Sequence, residues 1–272
     1  MSHDADADFR DDLAPVEPRW ADAEVGRGLP GRLVAEAGGT FVLIAAGLGT
    51  VFLVQPFNQG STVVPGLGFG LALFVMTAVL HRVSGAHLNP AVTLGMWAAG
   101  RFPGRDIALY VLAQVVGAIA AGAALLGLAT LRPGADVGRT SLTALSNGWG
   151  SHSTWQLSVW EALGVETLLL AAFVAVVLAA TSLTANTNHV PAAIGITFGA
   201  LVTVTIPLTN GSINPARSTA TAVFAESWAL GQLWTWWLAA IVAGMVVGLA
   251  FRAFGAPDDL EDPKAHSAPR AP

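Results

Sequence analysis

Six stretches of this chain are apolar for close to the roughly 20 residues that an α-helix needs to cross the hydrocarbon core of a bilayer. They are LVAEAGGTFVLIAAGLGTVFLV (33–54), VVPGLGFGLALFVMTAVL (63–80), DIALYVLAQVVGAIAAGAALLGLATL (106–131), LSVWEALGVETLLLAAFVAVVLAA (157–180), VPAAIGITFGALVTVTIPL (190–208) and QLWTWWLAAIVAGMVVGLAFRAF (232–254). Backbone in lipid must satisfy its own hydrogen bonds, so each stretch is expected to be a helix. Only 11% of the 272 residues are charged, against about 25% in ordinary soluble domains. The expected fold is an all-α integral membrane domain over 32–254. Residues 1–31 and 255–272 hold most of the acids and much Pro and Ala. Both read as disordered, solvated tails.

Composition also excludes several classes. Cysteine is absent, which removes disulfides and thiolate metal sites. No basic patch is visible, which argues against nucleic-acid binding. The first residues, MSHDADADFRDD, are acidic and polar, unlike a cleaved signal peptide.

Two further segments are apolar but too short to span: NPAVTLGMWAA (89–99) and NPARSTATAVF (214–224). Segments of this length read as buried or re-entrant. Each opens with Asn-Pro. Asn is a favoured helix N-cap, because its side-chain oxygen accepts from a free backbone N–H. Proline suits the next position, where no donor is needed. Each motif therefore reads as the start of a half-helix.

With six spans both termini lie on one face. That face takes Arg27, Arg32, Arg82, Arg101, Arg105 and Arg252, and the other takes Arg132 and Arg139. The positive-inside rule then places both termini in the cytoplasm. Trp149, Trp155, Trp160, Trp228, Trp234, Trp236 and Trp237 fall near outer segment ends and read as an aromatic belt.

The chain also repeats itself. AEAGGTFVLIAAG (35–47) resembles VETLLLAAFVAVV (165–177), each with one Glu near the start of a span. The unit is span, span, half-helix, span, over about 32–131 and 157–254. Three spans per unit invert the second copy relative to the first. Inverted repeats with broken helices place their site near the midplane. Asn89 and Asn214 are expected to meet there tip to tip.

These motifs resemble the aquaporins of the major intrinsic protein family, close to its bacterial water-channel branch. The resemblance covers about 32–254 and rests on AEAGGTF, SGAHLNPAVTLGMWAAGRFP, YVLAQVVG, VETLLL and IPLTNGSINPARSTATAVF. It implies six tilted helices and two back-to-back half-helices around a narrow pore. It also implies a homotetramer in the cell membrane with one pore per subunit. The implied activity is passive conduction of water, with small neutral solutes such as glycerol, urea or ammonia as the alternative. No cofactor, metal or enzyme activity is implied.

The residues give this a physical reading. Each half-helix N-terminus carries roughly half a positive charge. Two such ends meeting at the midplane disfavour cations and a protonated water chain. The amides of Asn89, in Asn89-Pro90-Ala91, and Asn214, in Asn214-Pro215-Ala216, offer N–H donors to a passing water. Arg217 follows the second motif. A charge at membrane depth is a functional candidate by default, the plain alternative being a salt bridge or headgroup contact. The resemblance places Arg217 in an outer constriction, with Phe69, Val202 and Gly211 as its other members by register. A strict water channel of the family has His at the position of Val202, so this filter should be wider and more apolar. Glycerol channels of the family usually carry Asp where Ser218 stands, and have longer insertions.

Glu36 and Glu166 are expected to be buried, one per repeat. They are read as acceptors for backbone N–H groups of the re-entrant loops, in preference to a proton relay. His87 is read as bracing the first loop. His81 and Arg82 stand where the family commonly has Gly-His. They are read as solvated mouth residues, a pH gate being the other option. The abundant Gly and Ala suit close helix contact. Three other classes fit these residues less well. A coupled transporter would need clustered carboxylates, and a hydrolase would need motifs such as H-E-x-x-H or G-x-S-x-G. The motif-bearing segments contain neither. A structural junction protein is disfavoured by Arg217 and the paired Asn-Pro-Ala motifs.

Overall fold

A computed structural model describes residues 28–54, 61–131, 137–182 and 187–254. Most of both expected tails, with Arg27 and Arg132, lies outside the described residues. The helices are α1 (Leu29–Val54), α2 (Val63–Ser84), α3 (Pro90–Ala98), α4 (Ile107–Thr130), α5 (Val137–Ala144), α6 (Val159–Ala180), α7 (Val190–Thr209), α8 (Pro215–Ala222) and α9 (Ser227–Phe254). There is no strand among the described residues. Six of the helices are long and apolar enough to cross a membrane. The fold is the all-α, six-span architecture with two half-helices, α3 and α8.

Helix ends follow local chemistry. At the start of α6, Ser158 Oγ accepts from the Glu161 N–H while Glu161 accepts from the Ser158 N–H. This capping box starts the helix at Val159 rather than 157. Gly85 ends α2 in the left-handed region at φ 86°, its N–H donating to the His81 carbonyl. So α2 runs four residues past the apolar stretch, through His81 and Arg82. At the other end of the chain α9 starts at Ser227, ahead of the expected 232. The first helix starts at Leu29, inside the segment read as tail. Helix α5, a short element, was not visible as an apolar run.

Small residues set how closely the helices approach. On α2, a Cβ built on Gly66 would lie 2.6 Å from the Gly199 carbonyl oxygen of α7, and one on Gly70 2.8 Å from that of Gly195. The pairs sit one turn apart on each helix, a spacing that lets backbones touch. A Cβ on Gly117 would stand 2.1 Å from the Ala37 carbonyl oxygen, which fixes α4 against α1. The half-helices use the same device. Gly248 of α9 would meet the Gly95 carbonyl oxygen of α3 at 2.5 Å. Gly122 of α4 would meet that of Ala220 in α8 at 2.0 Å. Each half-helix thus packs against the last long helix of the other repeat, and this cross-bracing holds the two loops in register.

Outward-facing apolar side chains, including Leu67, Leu71, Leu112, Leu168, Ile196 and Val246, are exposed, as a lipid-contacting surface requires. The tryptophans do not form one belt. Trp155, Trp160 and Trp234 are exposed, but Trp236 is buried in the helix interface. Trp149 donates through Nε1 to Thr235, Trp237 donates to Thr219, and Trp228 stacks on His152 at 3.8 Å. Indole N–H groups with nearby hydroxyls are satisfied inside the protein and need no interface.

Candidate functional site

The two Asn-Pro motifs fold alike and then bind one another. Asn89 has extended backbone and caps α3, its Oδ1 accepting from the Ala91 N–H at 3.0 Å. Asn214 caps α8 in the same way, accepting from Ala216 at 2.9 Å and from Arg217 at 3.4 Å. With the oxygen committed, each side-chain nitrogen crosses to the opposite loop. Asn89 Nδ2 donates to the Ile213 carbonyl at 2.8 Å, and Asn214 Nδ2 donates to the Leu88 carbonyl at 2.9 Å. Both Asn are buried. The start of α3 therefore meets the start of α8, and one N–H of each amide remains unused among the described residues.

The residue before each Asn is in the left-handed region, Leu88 at φ 50° and Ile213 at φ 46°. That conformation is costly, above all for a β-branched residue. It is held from both sides. The carbonyl accepts from the opposite Asn, and the N–H donates to a carboxylate. Glu36 Oε1 accepts from the Ser84 hydroxyl and the His87 N–H, and Oε2 from the Leu88 N–H and Gln114 Nε2, all within 3.0 Å. Glu166 accepts from Ser212 N–H at 3.1 Å, Ile213 N–H at 3.0 Å and the Thr209 hydroxyl. Both carboxylates are buried and every oxygen is hydrogen-bonded.

The N–H groups of Ala86 and His87 donate to Ser84 Oγ and Glu36 Oε1. The carbonyl oxygens of Gly85, Ala86 and His87 accept from no group among the described residues, and all three residues line a cavity beside α3. His87 is buried; its Nδ1 lies 3.2 Å from the Thr93 hydroxyl and its ring packs edge-on against Phe102. His81 turns back to its own helix, Nδ1 lying 2.8 Å from the Thr77 carbonyl. Arg82 is exposed on the last turn of α2.

Arg217 is buried in α8. Its Nη1 donates to Asn147 Oδ1 at 2.6 Å and its Nη2 to the Asn210 carbonyl at 3.0 Å. The Nε–H has no partner among the described residues. The guanidinium is thus clamped on one edge with a donor left over. Asn147 is the hub of this clamp. It donates to the Thr209 carbonyl and also accepts from Ser218. Of the other expected filter members, Val202 and Gly211 are neighbours: a Cβ on Gly211 would sit 3.5 Å from Val202 Cγ1. Gly211 is at φ 67°, where a side chain is strained. Phe69 is buried edge-on to Phe198, its ring lying over Gly47 of α1.

Asn147, Gln114 and Thr209 carry the polar network and were not singled out from the sequence. Gln114 was inside an apolar run, and Asn147 was in LSNGWG, which reads as a connecting loop. A single Gln facing inward at mid-span was the available signal. Among the described residues no cluster of His, Asp and Glu could hold a metal.

Known proteins resemble this chain closely. The family described as Major intrinsic protein matches residues 28–251. "Aquaporin Z" of Photorhabdus laumondii subsp. laumondii is 40% identical over 223 residues, 81% of this chain and 96% of that protein. "Aquaporin Z" of Rhodopseudomonas palustris is also 40% identical over 223 residues, 81% and 92% of the two chains. Among solved structures, the aquaglyceroporin from Plasmodium falciparum aligns with a TM-score of 0.68 and 22% identity, covering 84% of this chain and 95% of its own. At that identity the likeness speaks for the fold.

Proposed function

The chain belongs to the major intrinsic protein family, and from that premise we propose how it acts as a passive water channel and which residues exclude charge. It is a multi-pass membrane protein. Water crosses down its osmotic gradient, and nothing is chemically transformed.

The observation that carries the reading is the exchange of hydrogen bonds between Asn89 and Asn214. It brings the positive ends of α3 and α8 to one point, where a cation meets two half-charges of its own sign. A neutral molecule meets no such barrier. The spare N–H of each amide donates to the oxygen of a passing water. A water held by two donors keeps its own hydrogens pointing outward in both directions, which breaks a proton wire at that point. Arg217 adds a full positive charge on the side of the second half-helix. The carbonyls of Gly85, Ala86 and His87 then take over as acceptors along the cavity, in place of the hydration that the molecule left behind.

Phe69, Val202, Gly211 and Arg217 form the selectivity filter in this reading. Glu36, Glu166 and His87 support the loops. Both termini lie in the cytoplasm, by the bias of Arg residues, and the assembly is a homotetramer in the cell membrane, each subunit with its own pore. The exposed apolar faces of the long helices serve both lipid and neighbouring subunits. Purified protein in vesicles tests the central claim. After an osmotic step the vesicles are expected to shrink far faster than empty ones. Shrinkage at the rate of empty vesicles would remove the channel reading.

A further inference from the structure

The chain has no cysteine, so its sulfur is all in four methionines, Met1, Met76, Met96 and Met245. Met1 lies outside the described residues. Met76 of α2 and Met245 of α9 are each partly buried, and neither lines the cavity beside α3. Met96 does line it.

Helical spacing accounts for that placement. Val92 and Met96 stand one turn apart on the same face of α3, and both line the cavity. Gly95 and Ala98 meet α9 instead: a Cβ on Gly248 would lie 2.5 Å from the Gly95 carbonyl oxygen and 2.6 Å from Ala98 Cβ. Val92 is 3% exposed, whereas Met96 is only partly buried. Phe173, Val177 and Ile194 add further apolar wall. By shape a methionine there is ordinary filler. By chemistry it differs from its neighbours, because among the described residues it brings the one thioether to that wall.

We propose that Met96 is a modification site: hydrogen peroxide that enters the cavity oxidises its thioether to the sulfoxide, and the sulfoxide slows water. The effect on flow rests on the reading of the chain as a passive water channel. Peroxide is neutral and close to water in size, so a barrier against cations does not stop it. The loop carbonyls that serve water in that reading serve its two O–H groups. A sulfur lone pair attacks one peroxide oxygen, and the O–O bond breaks as the S–O bond forms. The proton on the transferred oxygen passes to the departing hydroxide, which leaves as water. Sulfur loses two electrons and peroxide gains them, with no other reactant. The product is a polar, chiral side chain where an apolar one stood. Its oxygen is a strong acceptor set among carbon atoms, and it detains a passing water. Leucine at this position keeps the bulk and removes the sulfur.

The test uses the full-length chain, wild type beside Met96→Leu, treated with hydrogen peroxide in detergent and then reconstituted into vesicles. Mass spectrometry of proteolytic peptides follows the gain of one oxygen at each methionine, and osmotic shrinkage follows water. Met96 is expected to oxidise ahead of Met76 and Met245. Water permeability of the wild type is expected to fall about fivefold, the worth of one hydrogen bond. It should return when methionine sulfoxide reductases A and B remove the oxygen before reconstitution. Met96→Leu is expected to keep the permeability it had before peroxide. Oxidation of Met96 no faster than that of Met76 and Met245 overturns the site. So does complete oxidation of Met96 with water flow unchanged, or a loss of flow that Met96→Leu shares in full. Untreated protein that passes no water removes the channel reading and the effect on flow with it. The order of oxidation among the three methionines still decides whether the cavity exposes Met96.

Discussion

The two re-entrant loops share one frame and differ in what is mounted on it. In both, an Asn caps a half-helix, a left-handed residue precedes it, and a buried Glu gathers the loop N–H groups. One position after each Asn-Pro-Ala the copies part. The first loop has Val92 and the second has Arg217. Val92 is one wall of an apolar cavity. Arg217 is a clamped cation with Asn147 and Asn210 as its partners. In the proposed mechanism the frame creates the electrostatic barrier where the two half-helices meet. In the proposed channel the residue after it decides whether that side of the barrier is an apolar cavity or a charged constriction. An inverted repeat therefore need not give a symmetric pore.

The supports also differ. Glu36 receives four donors, including Gln114 from α4, whereas Glu166 receives three, none from α9. Alanine at either position is expected to be the most damaging change in the molecule. It would strand two buried backbone N–H groups and release a left-handed residue, a loss of about 3 kcal/mol or more, at 1–3 kcal/mol per unsatisfied buried donor. Thermal unfolding in detergent should show both variants destabilised, with Glu36→Ala the worse because Gln114 also loses one of its two partners. A Glu36→Ala protein that melts with wild type would break the claim that the carboxylates hold the loops. Equal losses would remove the asymmetry between them.

Exchanging the residue that separates the loops is the next largest effect. Arg217→Val makes the second loop a copy of the first. Water flux should persist, since the Asn pair is untouched. Leakage of protons or small cations, followed with a pH-sensitive dye trapped in vesicles, should rise by about tenfold or more, the scale of one charge-assisted interaction. Unchanged leakage would mean that the Asn pair and the two helix ends suffice as the barrier. The second half of the pore would then owe Arg217 only its selectivity among neutral molecules.

The frame was far more legible in the sequence than its mounting. Length and apolarity predict six helices because lipid leaves the backbone no other partner. Asn-Pro predicts both half-helices because capping is local chemistry. The paired Asn follow from the inversion of the repeat. Asn147 could not be read in this way. It reaches Arg217 across 70 positions of sequence, from a connecting loop with no periodicity. Gln114 was hidden in an apolar run whose hydropathy it barely alters. The early starts of α1 and α9 and the late end of α2 depend on caps and packing, where hydropathy alone is blind. The burial of Trp236 depends on which helix face meets a neighbour, and a single sequence does not state that.

The smallest expected effect lies inside the second loop's constriction. Val202 stands beside Gly211, whose missing side chain leaves the space next to Val202 Cγ1 unfilled. An imidazole placed there by Val202→His would occupy that space and present a polar nitrogen toward the passage. A molecule the size of water loses little room and gains a partner. A molecule the size of glycerol loses the apolar clearance that valine and glycine allow together. The ratio of glycerol to water permeability should therefore fall, by roughly two- to tenfold if the change is worth about one hydrogen bond, while water flux itself stays near wild type. Vesicle re-swelling in glycerol, normalised to osmotic shrinkage of the same preparation, measures that ratio. If it does not move, residue 202 is not at the narrowest point. The counting of positions back from Asn214 that assigned it to the filter is then wrong, although Arg217 and the Asn pair would be unaffected.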